Sequence, residues 1–452
     1  MAVILSLEQA PPFAAPLRFF LTAPLFGMAV AALVVVSGEE LFASRWTPAA
    51  LAATHLITVG FMLQIMIGAL FQLLPVVAGA QMRRPLATAR VVHALLAAGA
   101  LLLAAAFLTQ QAQLFVLAGA LLGGGVLLFV TTALFALRGL GADSASVRDI
   151  RRALFGLTVT LAFGLMLVGG LAGAFAVPLP QVADIHLSWG LVGWGGVLLA
   201  GVAYVVVPMF QLTPSFPGWF ERHFSLAVLV FLIAWSVLDL AGWSLAARLF
   251  ASVVALAGGV LAAITLRLQT QSKRAKLDST QQCWRFAMGS ALAAAILWLT
   301  MSALVLAGDS RPAWFSSLLE ETPAPTQFVD GSGWVLLCGV LVLVGAFMTA
   351  MNGMLYKIVP FLVWLHARNA GGRGTPAPNM RQVLGEPLML RQARTHFLAC
   401  ALLVLAAFGV PFLALAGGVA LFVAQALLLA NLLKAAGVYR RHLRASMAAA
   451  AA

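Results

Sequence analysis

The feature that most constrains this chain is its division by polar residues into twelve apolar runs, at 17–37, 52–78, 91–108, 114–137, 153–176, 185–209, 225–243, 246–267, 286–307, 334–363, 396–415 and 417–437. A bilayer core of roughly 30 Å is crossed by about 20 apolar helical residues. The runs predict an all-α integral membrane protein of about 12 transmembrane helices, with residues 1–452 forming one membrane domain. Charged residues make up only 9% of the chain, against roughly 25% in soluble domains, which excludes a soluble protein.

The placement of the charges predicts orientation. Of 27 Lys and Arg residues, 23 fall on one side of the twelve-helix reading and three, Arg45, Arg248 and Arg311, on the other. Lys and Arg accumulate in cytoplasmic loops, so both termini are expected in the cytoplasm and the protein in the cell (inner) membrane. The net charge of +13 therefore reports topology and lipid contact rather than a nucleic-acid partner. Cys283, Cys338 and Cys400 form no CxxC or CxxCH arrangement, so neither a disulfide framework nor covalently attached haem is indicated. Met1 to Pro16 lacks the basic start of a cleavable signal, and the first apolar run is expected to stay as a helix. The outward loop 308–333 has room for a short surface helix at Trp314 to Leu319. The inward loop 366–395, rich in Gly, Pro and Arg, reads as irregular.

An internal repeat is visible. Runs 2, 6 and 10 share Gly-x-x-aromatic-x-x-aliphatic-Pro: Gly68 to Pro75 through Phe71, Gly201 to Pro208 through Tyr204, and Gly353 to Pro360 through Tyr356. A second glycine, Gly60, Gly193 or Gly345, lies fifteen residues before each proline. Equal spacing in one register predicts three pseudo-symmetric four-helix arcs, roughly 17–137, 153–267 and 286–437. The glycines would allow close approach of a neighbouring helix or a planar cofactor, and the prolines would end or kink each helix at its inner boundary. The alternative is the general frequency of Gly and Pro in membrane helices.

Near the outer ends of these helices stand His55, His186 and Cys338, at 20, 22 and 22 residues before the prolines. Imidazole and thiolate ligate haem iron, copper or zinc, although each could equally be an interfacial side chain. The two-residue offset of His55 turns it by about 200° on an ideal helix, so the three need not converge. Met62 and Met66 follow His55 along one stripe and could complete a soft copper(I) set; core packing is the competing role, as for Met348, Met351 and Met354. Gln64 and Asn352 lie near mid-membrane and could bond between helices. Lys357 would snorkel to the inner interface. His396, at the mouth of run 11, is a further candidate axial ligand, while His93, His223, His366 and His442 read as solvated helix ends.

Twelve helices, three four-helix arcs and histidines on helices 2 and 6 together resemble subunit I of the haem-copper oxidase superfamily. Within that likeness, His55-Leu-Ile-Thr-Val-Gly60, the continuation to Pro75-Val-Val-Ala-Gly79 and the pair Arg84-Pro85 are similar to the NnrS-like membrane proteins, a family associated with haem, copper and nitric-oxide stress. The resemblance implies haem b and/or copper as cofactors, His55 as the helix-2 haem-ligand equivalent and His186 as the helix-6 copper-ligand equivalent. It departs from an oxidase on two counts: run 7 has no histidine, and run 10 has none from Gly333 to His366. The oxygen-reducing binuclear site is therefore not expected.

The leading expectation is a non-enzymatic haem- or copper-binding membrane protein acting in metal handling, electron transfer or nitric-oxide stress, with a redox or metal-handling partner. The alternatives are a permease for a small neutral solute and a cofactor-free scaffold subunit. No nucleophile stands next to a base in the sequence. A bundle interior almost free of charge would suit a bound cofactor better than an ion-coupled pump.

Overall fold

The computed structural model describes residues 7–140, 144–307, 332–370, 376–410 and 412–451. Among them all regular structure is helical, and twelve helices are long and apolar enough to cross a membrane: α1 (Ala14–Phe42), α2 (Pro48–Val76), α3 (Pro85–Thr109), α4 (Ala112–Ala136), α5 (Ala145–Leu171), α6 (Leu179–Gln211), α7 (Gly218–Leu240), α8 (Ser244–Thr270), α9 (Ser279–Ala307), α10 (Gly333–Ala370), α11 (Glu386–Ala407) and α12 (Leu413–Ala448). The protein is a multi-pass helical membrane protein. The surface helix expected at Trp314 to Leu319 lies outside the described residues.

Several helices run further than the apolar pattern marks. The α5 helix begins at Ala145 rather than 153, α11 at Glu386 rather than 396, and α12 continues to Ala448 rather than 437. The inward loop expected to be irregular from 366 is helical to Ala370 and carries a short turn at Met380–Val383, capped by Asn379. A helix need not stop where hydrophobicity stops, because Lys and Arg stems can lie along apolar surface while their heads reach water.

Three helices form the inside. In their most apolar stretches α2, α6 and α10 have 78, 61 and 56% of residues buried, against 17 to 50% in the other nine. These are the helices that carry the Gly/Pro repeat. The outer helices pack on their chain neighbours and α12 returns to α1, where Gly27 faces Gln425 and Gly418 faces Val35. Hydrophobicity alone does not drive helices together in lipid, so the fold depends on where small residues permit close packing.

The repeated glycines show that dependence. A Cβ at Gly68, Gly201 or Gly353 would lie 2.8, 2.7 or 2.7 Å from Cβ of Phe19, Asp149 or Cys283. Seven residues further along those partner helices, Phe26 sits against Gly60, Gly156 against Gly193 and Ser290 against Gly345. Between these contacts, at the third residue, Thr22 bonds His93 at 2.8 Å, Arg152 bonds Ser225 at 2.7 Å and Phe286 stacks on Phe397 at 4.3 Å. The glycines thus receive α1, α5 and α9, and the planar cofactor considered for them is displaced by protein side chains.

A second common feature is invisible in composition. The backbone of α2 widens to a π-helical stretch at Leu56–Leu63, that of α6 at Trp189–Gly196 and that of α10 at Leu341–Met348. Each stretch begins 19 residues before its proline. The prolines do not end the helices, which continue to Ala78, Gln211 and Ala370.

The interior is less free of charge than the runs suggest. Asp149 is fully buried and pairs with Arg152 at 3.2 Å. Lys357, expected only to snorkel, donates to Asp278 Oδ2 at 2.8 Å with 15% of its side chain exposed.

Candidate functional site

Thr47 and Pro48 start α2: the Thr47 hydroxyl accepts from the Ala50 N–H at 3.2 Å, and proline occupies the first turn, where no N–H is needed. Two turns later His55 enters the π-helical stretch. Its Nδ1 lies 2.8 Å from the Leu51 carbonyl. A carbonyl only accepts, so Nδ1 carries the proton and Nε2 keeps a bare lone pair. On α6, His186 is held the same way, with Nδ1 donating across to the Thr160 carbonyl of α5 at 3.0 Å. Backbone carbonyls orient metal-ligating imidazoles in this fashion.

The two imidazoles meet. Their ring centroids are 6.2 Å apart and their planes differ by 17°. They converge although His55 is two residues out of register with His186.

Both rings line a cavity of about 1610 Å³ whose wall is mainly apolar. Phe107 packs on His55 at 4.9 Å and Phe115 on Phe107 at 5.2 Å. Gly164 of α5 leaves room for His186; a Cβ there would lie 3.0 Å from its Cε1. The hydroxyls of Thr54, Thr58 and Thr160 are spent on carbonyls one turn back. Next to the link between α1 and α2 the lining becomes polar: Arg45, from that link, bonds Asp184 of α6 at 2.5 Å and stacks on Trp46. A pair this exposed, 31 and 41%, contributes at most about 1 kcal/mol.

The other expected ligands do not join the two histidines. Cys338 and Met62 line the same cavity, but the Cys338 thiol faces the Ala294 carbonyl at 3.9 Å and Met62 is 3% exposed within the core. Met66 is buried off the cavity wall. His396, taken as an axial-ligand candidate, lies away from the cavity with Nε2 on the Val344 carbonyl at 3.1 Å. That carbonyl belongs to the π-helical stretch of α10 and also receives Thr349, so His396 satisfies backbone that the wider helix leaves short of partners. His93, expected to be solvated, bonds Thr22.

Among the described residues no three His, Cys, Asp or Glu side chains gather closely enough to hold a metal ion. A four-ligand zinc centre does not fit this donor set. Two bare imidazole nitrogens fit a metal whose remaining coordination is supplied by a macrocycle, or one content with two ligands, and the size of the cavity admits either.

Compared with known proteins, the chain matches no family model and no curated protein. The site stands on its own geometry.

Proposed function

We propose that this is a metal- or haem-binding membrane protein of the cell membrane, built on three pseudo-symmetric four-helix arcs, with His55 and His186 as the protein ligands. One observation carries the reading: two imidazoles with Nδ1 committed to carbonyls and Nε2 bare face a common, mainly apolar cavity. Haem iron or copper(I) would find there two neutral nitrogen donors between mainly apolar walls. A bound metal of this kind would supply one-electron chemistry, which suits electron transfer, metal handling or a role in nitric-oxide stress. The chain's own contribution is to hold both tautomers, to set the ring spacing through α5 and α2, and to fix the His55 ring against Phe107 and Phe115.

The direct test is metal and haem analysis of detergent-purified protein, with absorption spectra of oxidised and reduced forms. Stoichiometric haem or copper supports the reading, and protein that remains metal-free and spectrally silent after reconstitution with both refutes it. Gly164→Ala gives a finer check. The new methyl must push the His186 ring by a few tenths of an ångström, so the variant is expected to keep its thermal stability but shift the absorption maximum or lower metal affinity. An unchanged spectrum and affinity would remove Gly164 from the site.

The orientation follows from the loop charges, with both termini in the cytoplasm. Cysteine introduced by Ser44→Cys is then expected to react with an impermeant maleimide in right-side-out vesicles, and that introduced by Met447→Cys only after permeabilisation. The reverse labelling would invert the assignment.

A further inference from the structure

We propose that α5, α6 and α7 form a gated proton path, in which Asp149 is the proton-exchanging group on the inner side and Phe224 separates it from the outer cavity. The inference is independent of any metal at His55 and His186. It begins with a carboxylate that is 0% exposed in a helix bundle, where ionisable groups are costly to keep. Oδ1 accepts from Ser225 of α7 and from Arg152. Oδ2 and the buried hydroxyl of Tyr204, beside Asp149 on α6, have no partner other than each other. A carboxylate oxygen whose one free neighbour is a hydroxyl, itself able to donate and accept, gives a proton a place to arrive and to leave.

The surroundings select the ion. The charged and titratable groups facing Asp149 are Arg148 and Arg152 from α5, Tyr204 from α6 and Glu221 from α7. The Arg152 guanidinium, 3.2 Å from Oδ1, repels a metal cation. A proton is not excluded in this way, since it binds by neutralising the carboxylate. Glu221 lies one turn closer to the inner end of α7 than Ser225 and is half-buried, so it can collect protons from inner water.

The outer cavity stops just above this cluster. Phe224, Leu157, Val197 and Val228 line it. Phe224 directly precedes Ser225. Val197 is one turn, about 6 Å, from Gly201, the residue whose missing side chain admits Asp149. Phe224 is also held by Phe220 at 4.7 Å, an aromatic contact that can break by ring rotation. A proton would pass from inner water to Glu221, then to Asp149 Oδ2. With Phe224 turned aside it would pass to water in the cavity, returning Asp149 to its carboxylate. One proton crosses per cycle, driven by the membrane potential, with nothing oxidised or reduced.

The test uses full-length protein in liposomes containing a pH-sensitive dye, with a potassium diffusion potential imposed by valinomycin. Phe224→Ala is expected to raise proton flux severalfold over wild type, Phe224→Ala with Asp149→Glu to keep that flux, and Phe224→Ala with Asp149→Asn to return it to the wild-type level. Asp149→Asn strands Arg152, so the Phe224→Ala background is also combined with Asp149→Asn and Arg152→Gln, which removes both charges; this form is expected to be silent as well. No rise in Phe224→Ala, a flux that persists without Asp149, or equal leakage of sodium ions would each overturn the proposal.

Discussion

Purified protein carrying His55→Ala or His186→Ala is expected to lose bound haem or copper, with affinity lower by well over 100-fold in either variant. Changing a group that merely orients a metal ligand typically costs 10–100-fold, and here a ligand itself is removed from a set of two. Among the described residues no cluster of further donors stands ready to replace it. Cys338→Ser and His396→Ala provide the contrast: the first thiol faces a carbonyl, and the second imidazole is committed to Val344 away from the cavity. Both are expected to retain metal at wild-type stoichiometry. Metal content and the reduced-minus-oxidised spectrum of the four variants, measured on protein of matched size-exclusion profile, decide the matter. Loss in Cys338→Ser with retention in His186→Ala would move the site to α10.

Gly156→Ala is expected to be the most damaging single-methyl change in the bundle. A Cβ at Gly156 would lie 2.3 Å from the carbonyl oxygen of Gly193 and 2.9 Å from the amide nitrogen of Trp194. These are backbone atoms of the π-helical stretch of α6, so no rotamer change relieves the contact and the two helices must separate. Overpacking commonly costs about 1–3 kcal/mol, and this contact should reach at least the upper end because backbone has to move. Gly258→Ala, where a Cβ meets nothing within 4 Å, should leave stability unchanged or slightly raised, since alanine is the better helix former. Thermal denaturation in detergent checks the pair. Gly156→Ala is also expected to disturb His186, whose partner carbonyl is Thr160, four residues along the same helix. Equal melting temperatures for the two variants would mean that α5 and α6 are not held at this crossing.

Much of the site was visible before any coordinates, but its assembly was not. His55 and His186 stand out because histidine is rare in apolar runs. The residues that hold them, Leu51 and Thr160, act through main-chain carbonyls and leave no mark in side-chain chemistry. Met62 and Met66 fit a ligand pattern on paper, yet a helical stripe of methionine satisfies packing equally well, and the core claims both. His396 was misplaced as a ligand candidate because the demand it meets, a carbonyl in a widened helix, is itself unseen in sequence. Asp149 precedes the apolar run that starts at 153, whereas α5 begins at Ala145.

The sequence by itself determined the class of the protein and the number of crossings, because a bilayer demands about 20 apolar residues per helix and twelve runs meet that demand. It also carried the register of the Gly/Pro repeat, since small residues are where membrane helices can touch. What only the tertiary structure decided is which faces meet: that the glycines receive α1, α5 and α9, that His55 and His186 share a cavity, and that Asp149 is buried beneath it. In lipid, apolar pattern marks depth but barely distinguishes one helix face from another. The choice of neighbour falls to steric fit and to hydrogen bonds between residues far apart in the chain.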